Sequence, residues 1–194
     1  MTDKLKHIFE KIDEVNSSDP NIELVSGAAT PKELIYGLRM SEVLMTNFES
    51  PSELLQIAAR GQHIKRWSIP RSDFPMDRKG YLKWRTTLKI FHGDLVGELM
   101  QKSGYNKEEI SYVKDLLMKK SLKTNPDTQT LEDTICLVFL KYYIDEFAVE
   151  KEENKLISII QKTWGKMSDR GHELALQINF HPDTKSLIGK ALNP

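Results

Sequence analysis

Histidines at positions 63 and 92 bracket the densest run of cations in the chain, and Trp67, Tyr81 and Trp84 lie between them. From Arg60 to Lys89 there are nine Lys or Arg against two acids, Asp73 and Asp77, a local net charge of +7. The formal net charge of the whole chain is zero, so the remainder sums to −7. Guanidiniums match phosphate oxygens in pairs, and an imidazole near neutrality can donate, accept or take a proton. Cations, imidazoles and indoles concentrated in one segment predict a site for an anion, above all a phosphate. The alternative is a solvated basic face with its tryptophans in the core.

Spacing sharpens the candidates. Arg78, Arg85, His92 and Leu99 are seven apart, nearly two helical turns, so they share a face. The following positions, Val96 and Leu99, are apolar, so His92 sits where this stripe enters the core, as a ligand-facing group or as a satisfied core histidine. Arg60, His63 and Trp67 fall at i, i+3 and i+7, and Trp67 is placed to stack on a base. A histidine near a helix C-terminus is favoured as imidazolium. Glu132 and Asp133 open the most apolar helix of the chain, so one of them must face inward. A buried carboxylate needs a partner or a metal; otherwise both are first-turn acids favoured by the helix dipole. Lys162 to His172 forms a second basic and aromatic cluster around Gly165 and Gly171. No phosphate-binding P-loop, dinucleotide fingerprint, zincin motif or nucleophile elbow occurs.

The elements that must position these residues are helical nearly throughout. Leu5, Ile8, Phe9, Ile12 and Val15 make an amphipathic stripe over about 2–16. Thr30-Pro31-Lys32-Glu33 predicts a helix start, with Thr30 as cap and Glu33 closing a capping box, in a helix running to about Phe48. Ser52 caps a third helix ending near Lys65, and residues 66–76 are an ordered loop. Asp77 caps a long helix to Gly104, and Asn106 with Glu109 forms a capping box for the next. One apolar helix is expected over 128–149, one from Glu152 to Lys166, one capped by Ser168 and a short one after Pro182. No strand is expected. The predicted fold is all-α, one domain over 1–194, a bundle of eight or nine helices.

One cysteine, Cys136, excludes a disulfide framework and any Cys-based zinc site, and its apolar surroundings predict a structural thiol. The amphipathic, charged N-terminus does not read as a signal peptide, and no stretch approaches the ~20 apolar residues of a membrane span. A cytoplasmic protein is expected.

The strings YGLRMSEVL, AARGQHIKRWSIPRSDFP, GYLKWRTTLKIFH, LKTNPDTQTLEDTICLVFL and KTWGKMSDRGHE resemble an uncharacterised bacterial and fungal family sometimes labelled glutamyl-tRNA synthetase-like. That family brings no established activity, and the chain carries no synthetase nucleotide motif. A more distant resemblance is to the His-Asp (HD) metal-dependent phosphohydrolases, which are all-α. YGLRMSEVL resembles their first-helix segment, with Arg39 where the first His would be. AARGQHIKRW resembles the His-Asp segment, with Gln62-His63 in its place; HGDLVGELM from His92 resembles an additional-His helix; LEDTICLVF supplies Asp133 as the terminal acid. The spacings, 23 from Arg39 to Gln62 and 71 from Gln62 to Asp133, agree with the family, whereas the ligand set does not.

Two readings follow from this resemblance. In one, His63, His92 and Asp133 form a rebuilt site for one divalent transition metal (Mn, Fe, Co or Zn), with hydrolysis by a metal-activated water and Glu132 as a further acid. In the other, Arg39 stands in the metal's place and the pocket binds a phosphorylated small molecule, a nucleotide in the first instance, in a sensing role. In both, Arg39, Arg60, Arg71, Arg78 and Arg85 neutralise the ligand. A third reading, RNA or tRNA binding by the basic segment, requires the cations to face outward on one broad patch.

Overall fold

The computed structural model describes residues 2–192. The chain forms two compact units, residues up to Ser121 and residues from Leu122. The fold is all-α apart from one small hairpin, and among the described residues no helix is long and apolar enough to cross a membrane.

The first unit begins with α1 (Asp3–Asn16), capped by the Thr2 hydroxyl, which buries Leu5, Ile8 and Ile12 as its stripe requires. A β-hairpin follows, β1 (Ile22–Val25) and β2 (Ala28–Pro31), paired antiparallel. This corrects the expectation of no strand. Ser26 and Gly27 both take positive φ, 50° and 83°, the two-residue turn that matches the twist of paired strands. The hairpin turns its apolar residues outward: Ile22 and Leu24 are exposed, while Glu23 faces the body and meets Arg39. An alternation with the charge inside and the apolar side outside hides a strand from a hydrophobicity pattern.

Helix α2 (Lys32–Asn47) starts without Thr30, which lies in β2; its N-cap is Pro31, with no side-chain cap bond. Buried Asp19 takes that role from outside, accepting from the Glu33 N–H at 3.0 Å. The expected capping box is therefore absent, and the Glu33 side chain is released for another use. Helix α3 (Glu53–Arg60) is capped by Ser52 as expected but ends five residues before Lys65. The chain then turns tightly at Gly61, where a Cβ would stand 2.5 Å from Cγ2 of Val96. This close approach lays Gln62, His63 and Ile64 against the next helix.

Residues 66–77 are ordered by Arg71, whose guanidinium donates to the carbonyls of Phe74, Pro75 and Asp77. Asp77 caps α4 (Arg78–Lys102) through the Gly80 N–H. A Cβ at Gly80 would lie 2.1 Å from the Pro75 carbonyl oxygen, a backbone atom that cannot move aside alone. Gly80→Ala is expected to cost about 2 kcal/mol by overpacking, read as a lowered urea midpoint; an unchanged midpoint would mean the loop relaxes freely. Helix α5 (Lys107–Met118) opens with the predicted Asn106–Glu109 capping box and packs on α4.

The second unit contains α6 (Pro126–Tyr142), α7 (Ile144–Glu150), α8 (Glu153–Trp164), α9 (Asp169–Ala175) and α10 (Pro182–Leu192). Here α6 packs on α7 and α9, and α8 on α10. The single helix expected over 128–149 is broken at Tyr143 (φ −125°, ψ −18°). Its start lies earlier than expected, at Pro126 behind an Asn125 cap.

Candidate functional site

The residues that come together are His63, His92, Glu33, Tyr36, Arg66 and Arg85, all in the first unit. Helix α2 buries Glu33, Tyr36, Gly37, Met40, Val43 and Leu44, a stripe at three- and four-residue steps. Glu33 and Tyr36 are one turn apart on that stripe and hold His63 between them. The His63 ring stacks on Tyr36 with centroids 4.0 Å apart and planes 13° apart, and its Nδ1 lies 3.3 Å from Oε2 of Glu33. Arg66 approaches the other carboxylate oxygen, Nε to Oε1 at 3.6 Å, and its guanidinium covers the Trp84 ring at 4.6 Å. Buried Asn16 ties the two sides, donating to the Glu33 carbonyl at 3.3 Å and accepting from the Lys65 N–H at 2.9 Å.

His92 reaches the same place from α4. Its Nδ1 is 2.8 Å from the carbonyl oxygen of Ile64. A carbonyl only accepts, so Nδ1 carries the proton and Nε2 carries the lone pair. The ring is 3% exposed and lies 6.0 Å from His63, centroid to centroid. Nε2 has no hydrogen-bond partner, and neither does the side-chain carbonyl oxygen of buried Gln62.

The electrostatics follow from burial and charge. Desolvation pushes the Glu33 carboxyl up to about 7, with Arg66 opposing. Desolvation, then the cations Arg66, Arg85, Lys119 and Lys32, hold His63 well below the usual imidazole range. Desolvation, then His63, Arg66 and Arg85, bring His92 down to about 3 against the Ile64 hydrogen bond. Both imidazoles are thus neutral at physiological pH, so the expectation that helix-end placement makes His63 an imidazolium is reversed. The site offers an anion the charge of several cations and, beside them, a neutral imidazole whose Nδ1 faces a carboxyl group that is about half protonated near neutral pH.

The other predicted residues lie as follows. Arg39 is paired with Glu23, Nη1 to Oε1 at 2.5 Å. Arg60 is 8% exposed and holds Asp13 through two bonds of 2.7 and 2.5 Å, with Ser41 at 3.2 Å. Arg71 is the loop clamp already described, Trp67 is half-buried and Arg78 is exposed. A straight helix drifts about 20° per heptad from a seven-residue repeat, and along α4 burial accordingly rises from exposed Arg78 through half-buried Arg85 to buried His92.

Glu132 and Asp133 belong to the second unit and both are buried, at 3% and 2% exposure. Asp133 accepts from the Ser168 N–H at 2.8 Å, the Ser168 hydroxyl at 2.5 Å and the Gln129 amide at 3.0 Å. Ser168 in turn caps α9 through the Gly171 N–H. The Asp133 carboxylate therefore anchors a helix start. In the second basic and aromatic cluster His172 stacks on Trp164 and donates Nε2–H to its carbonyl. Among the described residues no group of three or more His, Cys, Asp or Glu is arranged to hold a metal ion, so these donors do not fit the metal centre that the HD resemblance implies.

Sequence reasoning missed Glu33, Tyr36, Lys32 and Lys119. The signal for Glu33 was its place on the apolar stripe of α2, masked by the competing capping-box pattern. Lys32 and Lys119 carry no local signal, since each sits at a helix end where a lysine is ordinary.

A helical protein with one small hairpin, whose first unit brings His63 and His92 within 6.0 Å of each other, is the class that fold and site define. The chain belongs to the DUF4202 family, a domain of unknown function, whose profile matches residues 6–188. No curated protein and no solved structure matches it.

Proposed function

We propose that the first unit binds a phosphorylated small molecule of the nucleotide class, without a metal, at the pocket around His63. The observation that carries this reading is charge of one sign: Arg66 in the turn after α3, Arg85 in the middle of α4, Lys119 at the end of α5 and Lys32 at the start of α2 all act on the one imidazole. Among the described residues Glu33 is the carboxyl group paired with His63. Cations acting on one point suit a compact polyanion; the resemblance to helical phosphohydrolases supports the same ligand class. RNA binding is less supported, because Arg60 and Arg71 direct their guanidiniums to internal partners.

Calorimetric titration with inorganic pyrophosphate tests it. Arg85→Ala is expected to weaken binding by about 10- to 100-fold, the worth of one charge-assisted contact, while Lys79→Ala on the exposed start of α4 leaves it unchanged. No binding to the wild-type chain, or equal losses in the two variants, would overturn the proposal. Equal losses together with tight RNA binding would favour the nucleic-acid reading.

A further inference from the structure

Deepening the reading above, on which it rests, we infer that the buried end of the pocket takes a hydroxyl or amino group of the same phosphorylated ligand, with Nε2 of His92 as the acceptor. Three observations lead there. The Ile64 carbonyl fixes the tautomer, so Nε2 presents a lone pair and not a proton. That lone pair is buried and meets no donor, a costly state that native interiors rarely tolerate. The residue before His63, Gln62, leaves its side-chain carbonyl oxygen in the same condition.

These two atoms are both acceptors, whereas the charges that act on His63, beyond its neighbours Tyr36 and Glu33, are cations. The site thus has two chemically distinct parts: donors for an anion, and acceptors that the phosphoryl group of a phosphate monoester dianion cannot satisfy, because it brings no proton to donate. A ligand joining a phosphate to a hydroxyl or amino group satisfies both, as sugar phosphates and nucleotides do. Protonation of His92 would offer another way to use Nε2, but desolvation above all, then His63, Arg66 and Arg85, oppose it, and the nitrogen remains an acceptor at physiological pH.

Histidine side-chain nitrogen resonances, recorded on ¹⁵N-labelled protein, report this directly. In the free protein Nε2 of His92 is expected at the position of an unprotonated nitrogen that accepts no hydrogen bond. Ribose 5-phosphate or adenosine 5′-monophosphate is expected to move it upfield, and methyl phosphate, whose dianion carries no hydroxyl, to leave it in place. In titrations, His92→Phe is expected to lose about tenfold in affinity for the hydroxylated phosphates, the worth of one buried hydrogen bond, with pyrophosphate affinity retained. If pyrophosphate binds but neither hydroxylated phosphate moves Nε2, the inference falls while the anion pocket stands. If pyrophosphate does not bind, the pocket reading itself fails, and this inference with it. An Nε2 resonance already upfield in the free protein would mean that a resident water is its donor, and would also overturn the inference. The resonance is read in the wild-type chain, so a His92→Phe variant that fails to fold leaves the test intact.

Discussion

Asp133→Ala is expected to destabilise the protein by about 3 kcal/mol, the scale of stranding several buried donors at once. The substitution removes the acceptor of the Ser168 N–H and the Ser168 hydroxyl and one of the two acceptors of the Gln129 amide, which keeps the Lys166 carbonyl, in a half-buried region where Asp133 itself is 2% exposed. It also loosens the cap of α9, because the same Ser168 hydroxyl receives the Gly171 N–H at 3.1 Å. Chemical denaturation reads the loss, and pyrophosphate titration at a temperature where the variant stays folded reads the other half. Binding to the first unit is expected to persist. Lost pyrophosphate binding with unchanged stability would return Asp133 to the ligand-binding residues.

The second large effect is acid instability that belongs to the histidines. Unfolded, His92 takes up its proton near 6.5; folded, it does so only near 3. Between those values the unfolded chain binds more protons, so stability falls as the pH falls, by up to roughly 5 kcal/mol at pH 3. His63, also held down in the folded chain, acts in the same direction. Glu33 acts in the opposite one: folded it protonates near 7 and unfolded near 4.5, so it stabilises progressively as the pH drops through that window. The sum is a shallow decline from pH 6.5 to 4.5, where two histidines outweigh one carboxyl, and a steep one below 4.5, where Glu33 has nothing further to contribute. The difference between wild type and His92→Gln in urea midpoint, measured from pH 7 to 3.5, isolates the His92 part. Parallel curves for the two proteins would show that His92 titrates alike folded and unfolded.

How far the sequence foretold this arrangement depends on the kind of signal each residue carries. Helix starts with a capping side chain one to three residues away were legible: Ser52, Asp77, Asn106 and Ser168 all cap as expected. The α2 start was misread because its cap, Asp19, stands 14 residues from the N–H it accepts from. The hairpin announced itself only in Ser26-Gly27, since its outward Ile22 and Leu24 and inward Glu23 invert the usual alternation. The break at Tyr143 has no Gly or Pro to mark it, and buried residues continue from Leu137 and Leu140 to Ile144 across it. For the site, the basic segment and both histidines stood out by composition. Which arginines are available did not, because that depends on acids far off in sequence: Asp13 engages Arg60, Glu23 engages Arg39 and Glu33 engages Arg66.

Those three acids all precede the basic segment, and this has a consequence for the order of folding. The Arg60–Asp13 pair spans 47 residues and the Asn16–Lys65 bond spans 49, so each closes a long loop whose entropy must be offset before the contact forms. Helix α3 can coil on its own local bonds, but burying its last residue before α1 arrives would place a guanidinium in the interior with no counter-charge. Docking of α1 is therefore coupled to completion of the pocket, and the turn that carries His63 is among the late, non-local contacts of the first unit.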